Sequence, residues 1–138
     1  MTRKKVLFLC NNNSCRSQMA EGLLRAAAPE SFDAFSAGAD PTYVHPMATE
    51  VMREVGIDIS CQESKSISVF DSREFDFVIT VCEGDACPFF AGEVGKRLSW
   101  RFEDPATVSG TKVEVLEVFR RVRGDIACSV QRFVEEYG

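Results

Sequence analysis

The sequence predicts an α/β fold, a three-layer, doubly wound sheet of four parallel strands in the order 2-1-3-4. Strand-like and helix-like segments alternate along the chain, which is typical of a parallel sheet with helices packed on its faces. Residues 6–10 and 77–81 are continuous apolar runs that suit central strands, whereas the strands near residues 33 and 98 suit the edges. Right-handed crossovers then give the order 2-1-3-4. The 138 residues fit one core, so we expect a single domain over residues 1–138.

The individual elements are predicted from apolar spacing and from the residues that start or stop helices. In order, they are a strand over residues 6–10, a helix over 17–28, a strand over 32–37, a helix from Pro46 to a stop at Gly56, a loop with a short helix over 66–70, strands over 77–81 and 97–102, and a helix that starts near Val113. Apolar residues in the last helix step by three and four, which indicates one buried face. His45 precedes the helix-starting proline and is predicted to be a turn or capping residue rather than a base.

Charge and cysteine content restrict the partners and the compartment. The formal net charge of −5 argues against nucleic acid or an anionic membrane as a partner. No stretch has transmembrane length, and the apolar run after the basic residues 3–5 is too short for a signal peptide. We therefore expect a cytoplasmic protein, and a monomer. Its six cysteines should be reduced at rest, so they serve catalysis, bind metal or are simply buried.

The stretch from Val6 to Ser17 predicts an oxyanion-binding loop between a strand that ends at Cys10 and a helix that opens near Arg16. The residues expected to bind the anion, through backbone N–H groups, the helix dipole and the guanidinium, are Asn11, Asn12, Asn13, Ser14, Cys15, Arg16 and Ser17. The positive field favours the nucleophilic thiolate form of Cys10, and Ser17 can donate a hydrogen bond to its sulfur. The asparagine run tolerates the positive φ that such a loop needs in place of glycine.

The predicted strand order brings further reactive groups to the same edge of the sheet. Strands 1 and 3 are neighbours at the switch point, where ligands bind beyond the carboxyl ends of the strands. Cys10 and Cys82 end these strands, so their sulfurs can pair after modest loop movement. Asp104, after strand 4, is a candidate general acid for an oxygen that leaves the anion. Asp40, after strand 2, is a rival, and spacing alone does not choose between the two.

Residues 10–22 (CNNNSCRSQMAEG) resemble the phosphate-loop region of arsenate reductases related to low-molecular-weight tyrosine phosphatases. Further matching segments extend over most of the chain, at residues 36–38, residues 56–60, the Cys82/Cys87 pair and residues 104–106. Three features favour the reductases: Gln18 stands where the phosphatases usually have proline, Ala106 stands where they usually have tyrosine, and the phosphatases lack the cysteine pair. The resemblance also implies the low-molecular-weight phosphatase-like fold.

The resemblance implies a three-thiol mechanism on arsenate. Cys10 attacks arsenic while Asp104 protonates the leaving hydroxyl. Cys82 then attacks the Cys10 sulfur and arsenite leaves. Cys87 attacks Cys82, which leaves a Cys82–Cys87 disulfide. Thioredoxin reduces this disulfide, and glutaredoxin or glutathione is the less favoured reductant. Neither a cofactor nor a metal is expected.

Two alternatives stay open at this point. A phosphatase of the same fold would use Cys10 as its nucleophile, and water would attack the phosphocysteine without help from Cys82. A zinc-binding module would enclose the ion with thiolates of the two equally spaced pairs, Cys10/Cys15 and Cys82/Cys87.

The chain departs from its relatives in two respects. The redox cysteines are separated by only four residues, fewer than in the best-known relatives. Some relatives bind potassium with an acidic residue where this chain has Lys65. We expect the Lys65 ammonium to take the place of that ion near Asn13, Glu21 and Ser36, and we expect no ion requirement.

Overall fold

Four parallel strands form one sheet in the computed structural model, which describes residues 3–71, 73–82 and 88–138. The strands are β1 (Lys4–Cys10), β2 (Phe32–Gly38), β3 (Phe75–Thr80) and β4 (Val94–Ser99). Their order is β2-β1-β3-β4, so the predicted α/β class and strand order are confirmed. The helices of the described residues are α1 (Arg16–Ala27), α2 (Pro46–Arg53) and α3 (Lys112–Tyr137), with 3-10 helices at Ile67–Phe70 and Pro105–Thr107. None of these helices is both long and apolar enough to cross a membrane.

The two faces of the sheet carry separate apolar clusters. On one face, Val6 and Phe8 of β1 pack in a cluster that includes residues of α1, α2 and α3. On the other face, Leu7 and Leu9 pack in a smaller cluster with Phe70 of the first 3-10 helix. Because successive side chains of a strand point to opposite faces, β1 is buried on both, as its continuous apolar run predicts.

The long helix α3 covers the sheet with the apolar stripe that the sequence predicts. Its buried residues are Leu116, Phe119, Val122, Ile126, Val130 and Phe133. A capping box defines its start: Glu114 N donates to the Thr111 side chain, and Thr111 N donates to the Glu114 carboxylate. The helix therefore begins at Lys112, one residue before the predicted position.

Element boundaries differ from the sequence prediction where tertiary contacts decide them. Strand β4 spans Val94–Ser99 rather than residues 97–102, because its ladder with β3 begins at the pair Phe75 and Val94. Phe102 continues the alternating pattern beyond the strand, but it packs from a loop into the larger apolar cluster. Helix α2 ends before Gly56, the predicted stop, which closes the following turn with a φ of 79°. An edge strand has one partner and few buried positions, so its ends leave a weak signal in sequence.

Phe133 lies in the aromatic packing between α3 and the sheet. Its buried ring contacts those of Phe32, Phe77 and Trp100 at centroid distances of 5.1, 4.9 and 6.0 Å. We expect Phe133→Ala to lower the free energy of unfolding by about 3–5 kcal/mol in urea denaturation, because it leaves a cavity in the core. Phe89→Ala is the matched control: this ring is 71% exposed, and the same truncation should cost no more than about 1 kcal/mol. Equal losses in the two variants would contradict this packing.

Candidate active site

A cavity of about 250 Å³ opens at the carboxyl edge of the sheet, where β1 ends and α1 begins. Its lining residues are Cys10, Asn12, Ser14, Cys15, Arg16, Thr42, Tyr43, His45, Asp104 and Ala106. The structure thus brings the predicted nucleophile, much of the predicted loop and one of the two candidate acids to a single opening.

The carbonyl groups of loop residues 11–15 all accept hydrogen bonds from the surrounding protein. Taken in order, their donors are Asp40 N, Thr42 N, Gln18 Nε2, His45 N and Met19 N, at 2.9, 3.3, 3.0, 3.1 and 2.9 Å. The backbone N–H groups of residues 12–17, in contrast, have no acceptor in the part of the chain that the structure describes. These N–H groups are available to an oxyanion, which is the role that the sequence analysis assigns to them.

Asn13 provides the left-handed turn of the loop. Its φ is 48°, a conformation that asparagine tolerates better than most residues. Its buried side chain is held at both ends. Lys65 N and Gln18 Nε2 donate to Oδ1 at 2.8 and 2.9 Å, and Nδ2 donates to Ser17 Oγ at 2.8 Å. The prediction that an asparagine replaces glycine in this loop is therefore confirmed at Asn13.

The Ser17 hydroxyl connects Asn13 to the sulfur of Cys10. Ser17 Oγ lies 2.8 Å from Cys10 Sγ and accepts the N–H of Asn13. Because the amide already donates to Ser17 Oγ, the hydroxyl hydrogen is left for the sulfur. The hydroxyl thus contacts and orients the sulfur, the nucleophilic atom of cysteine.

Arg16 and Asp104 meet beside the cavity. Arg16 Nη1 donates to Phe102 O at 3.1 Å, and Nη2 lies 3.5 Å from Asp104 Oδ2. The guanidinium is buried, so these two oxygens orient it while its remaining N–H groups are left for a ligand. Asp104 also caps the second 3-10 helix, since its Oδ1 accepts from Ala106 N at 3.0 Å.

The two candidate general acids, Asp104 and Asp40, differ in their position relative to the cavity. Asp104 lines the cavity, whereas Asp40 is exposed and does not belong to the lining among the described residues. Asp40 supports the loop through its backbone instead: its N–H donates to Asn11 O, and its carbonyl accepts from Asn12 Nδ2 at 3.0 Å.

The pairing of β1 with β3 brings Cys82 to the same end of the sheet as Cys10. Val81 N donates to Leu9 O at 2.9 Å, and the buried Cys82 sulfur lies 3.9 Å from that same oxygen. Cys10 has a free thiol, but Cys82 is disulfide-bonded, so the expectation that all six cysteines are reduced is wrong for Cys82. Cys87, the other cysteine of the predicted pair, lies outside the described residues.

Three further cysteines in the described part of the chain have free thiols. Burial raises the pKa of the Cys15 thiol to about 12, and a hydrogen bond to Ser14 acts in the opposite direction. Cys15 therefore has a neutral thiol at physiological pH, and it packs in the larger apolar cluster and also lines the cavity. Cys61 and Cys128 are exposed.

The expectation for the Lys65 side chain is wrong. Its ammonium donates to Glu63 O at 2.7 Å. The buried Glu21 carboxylate instead accepts from Ser36 Oγ at 2.6 Å and pairs with Arg25 at 2.8 Å. Arg25 lies one helical turn after Glu21, so α1 itself supplies the cation beside this carboxylate.

Sequence reasoning missed the structural roles of two polar residues. Gln18 is fully buried and braces the loop, since its Nε2 also donates to Glu63 O at 2.9 Å. Nothing in a run of polar residues at a helix start signals such burial. His45 caps α2 as predicted, with Nδ1 accepting from Met47 N at 3.1 Å, but it also lines the cavity. The place of His45 in the cavity lining depends on how α2 packs near the anion loop, which the sequence does not show.

A free cysteine precedes a loop of unbonded amides, a buried arginine follows, and a carboxyl group lies at the same cavity. These features define the class of cysteine-dependent enzymes that act on tetrahedral oxyanions.

Comparison with known proteins agrees with this class. Residues 5–136 match the family described as low molecular weight phosphotyrosine protein phosphatase. An arsenate reductase of Shouchella clausii is 43% identical over 137 residues, which cover 98% of each chain. The structure of an arsenate reductase in the phosphate binding state has a TM-score of 0.82 and 38% identity, covering 98% of this chain and 99% of that chain. A thioredoxin-dependent arsenate reductase of Corynebacterium glutamicum has a TM-score of 0.62 and 32% identity, covering 94% of this chain and 62% of that chain. The present chain belongs to the low molecular weight phosphotyrosine protein phosphatase family.

Gly38 ends β2 directly against the loop backbone. A Cβ atom there would lie 2.6 Å from Asn11 O, 2.8 Å from Cys10 O and 2.8 Å from Asn13 N. Because the loop must move to make room, we expect Gly38→Ala to weaken the binding of inorganic phosphate at least about tenfold, as measured by titration calorimetry. Gly124→Ala is the control, since a Cβ there meets nothing within 4 Å and should leave the affinity unchanged. Wild-type affinity in Gly38→Ala would contradict the proposed anion site.

Proposed function

We propose that this protein is an arsenate reductase that converts arsenate to arsenite through Cys10, Cys82 and Cys87 and is recycled by thioredoxin. The observation that carries the proposal is a free Cys10 at an oxyanion loop with Cys82 following the neighbouring strand. The names of the relatives support the reaction, and the thioredoxin-dependent relative supports the reductant. The protein acts in the cytoplasm, where thiols are kept reduced, and serves arsenic detoxification.

The first step is attack of the Cys10 thiolate on arsenic. The loop amides and Arg16 hold arsenate and compensate its negative charge. A bond forms between Cys10 Sγ and arsenic, and the bond from arsenic to one hydroxyl breaks. Asp104 donates the proton with which this hydroxyl leaves as water. The position of Asp104 at the cavity supports this role.

The second step reduces arsenic. The Cys82 thiolate attacks Cys10 Sγ and a sulfur–sulfur bond forms. The electron pair of the bond between Cys10 and arsenic stays on arsenic, which leaves as arsenite. Arsenic gains two electrons, and two thiolates become one disulfide. The adjacency of β1 and β3 supports the step, because the two cysteines follow neighbouring strands.

The third step moves the disulfide away from the anion loop. Cys87 attacks Cys82 and releases the Cys10 thiolate, and the dithiol of thioredoxin then reduces the Cys82–Cys87 disulfide. A free Cys10 together with a disulfide-bonded Cys82 agrees with the state that this scheme assigns to the protein after the transfer. The loop is then ready to bind the next arsenate.

Serine substitutions test the cascade. In an assay of NADPH consumption with arsenate, thioredoxin and thioredoxin reductase, wild type should turn over. Cys10→Ser, Cys82→Ser and Cys87→Ser should each lose at least about a hundredfold in turnover, because a hydroxyl cannot take part in disulfide exchange. Cys128→Ser changes an exposed free thiol and serves as the control with wild-type turnover. Undiminished turnover of Cys82→Ser would exclude the cascade.

A second candidate function is phosphatase activity, which the description of the matched family favours. The anion loop of this chain suits phosphate as well as arsenate. Water would then attack a phosphocysteine at Cys10, and Cys82 would not be needed. Two results together would favour this function: hydrolysis of an aryl phosphate that persists in Cys82→Ser, and no arsenite release from wild type with thioredoxin or with glutaredoxin and glutathione.

A matched pair of substitutions tests the general acid. Asp104→Asn should lower kcat for arsenate reduction by roughly 10²–10⁴-fold, because an amide cannot donate the proton that the leaving hydroxyl needs. Its Oδ1 can still accept from Ala106 N, so the 3-10 helix should persist. Asp40→Asn makes the same change at the exposed rival and should retain wild-type kcat. The reverse result would transfer the role to Asp40.

A further inference from the structure

His45 is held on several sides next to the oxyanion cavity. Its backbone N–H donates to Ser14 O at 3.1 Å, which ties it to the anion loop. Its ring packs against Phe119 at a centroid distance of 5.0 Å and stacks on Tyr43 at 6.3 Å. His45 therefore has a fixed ring, and the residue lines the cavity together with Cys10.

The hydrogen bonds of the ring determine which nitrogen carries hydrogen. Nδ1 accepts from Met47 N at 3.1 Å, so the neutral ring carries its hydrogen on Nε2. This Nε2–H has no acceptor within residues 3–71, 73–82 and 88–138. Burial lowers the pKa of His45, although the charge of Asp104 acts in the opposite direction, and protonation of Nδ1 would break the cap. A residue that lines the cavity thus carries a neutral N–H donor with no partner among the described residues.

We propose that His45 is an additional oxyanion-binding residue, which donates its Nε2–H to an oxygen of the bound arsenate. The inference deepens the proposed function and rests on it for the identity of the anion. Arg16 and the loop amides compensate charge, whereas a neutral imidazole adds a directional donor without adding charge. Asp104 protonates the oxygen that leaves, and His45 holds an oxygen that stays.

The alternative is that His45 only caps α2, and two substitutions separate these roles. His45→Asn keeps an acceptor at about the position of Nδ1, and asparagine is among the preferred N-cap residues. It lacks a donor at the reach of Nε2. His45→Gln has the opposite properties, since its Nε2 can reach the position of the ring Nε2 but the cap is lost.

Titration calorimetry with inorganic phosphate on the reduced full-length protein measures the binding. We expect His45→Asn to bind phosphate about tenfold more weakly than wild type, and His45→Gln to remain within about threefold of it, because only the first loses a hydrogen bond to a charged group. The melting temperature should fall more in His45→Gln than in His45→Asn, since only His45→Gln loses the cap of α2. In the reductase assay, KM for arsenate should rise in His45→Asn by a similar factor while kcat changes less.

Two outcomes would overturn the proposal. One is wild-type phosphate affinity in His45→Asn, and the other is a loss of affinity that follows the loss of thermal stability across both variants. The calorimetric result does not depend on turnover. If wild type binds phosphate but releases no arsenite with any thiol reductant, the proposed function fails, and the phosphate affinities of the two variants still decide the role of His45.

Discussion

The hydrogen bonds donated to the carbonyl groups of loop residues 11–15 are the constraint on which the site depends. The C=O and N–H groups of a peptide plane point in opposite directions, so a carbonyl held by the surrounding protein turns the next N–H away from it. The donors come from α1, from the segment after β2 and from the cap of α2. Three separate parts of the chain therefore shape the loop before any anion binds, and such preorganisation makes oxyanion binding effective.

A polar network takes the place that glycine has in many anion-binding loops. Asn13, Ser17, Gln18 and Ser36 are fully buried, and no buried side-chain nitrogen or oxygen in the described residues lacks a partner. Buried polar groups destabilise a fold unless they are hydrogen-bonded. The Asn13 side chain supplies a hydrogen-bond partner to both Ser17 and Gln18, whereas Ser36 donates to Glu21. The same network that supports the loop also directs a hydroxyl at the nucleophilic sulfur of Cys10. Stability and reactivity consequently depend on one set of contacts.

The strand order gives this site the possibility of redox chemistry. The loop and its arginine bind tetrahedral oxyanions whether the following step is hydrolysis or reduction. In the proposed cascade, a second cysteine at the end of the adjacent strand distinguishes the two, because its reduced form offers a thiol to the sulfur that has just reacted. The parallel pairing of β1 with β3 is what brings Cys82 to the edge at which Cys10 lies. In this proposal, the reaction follows from strand adjacency as much as from the loop itself.

Sequence alone determined the α/β class, the strand order, most of the helices and the Cys-x5-Arg loop, because these depend on apolar periodicity and on residues adjacent in the chain. Only the tertiary structure placed Asp104 rather than Asp40 at the cavity, paired Glu21 with Arg25 rather than Lys65, and moved the ends of β4. It also assigned His45 and Gln18 to the site. Apart from the Glu21–Arg25 pair, which lies within α1, these features depend on which distant segments meet. The spacing of residues along the chain does not give the distance in space between such segments.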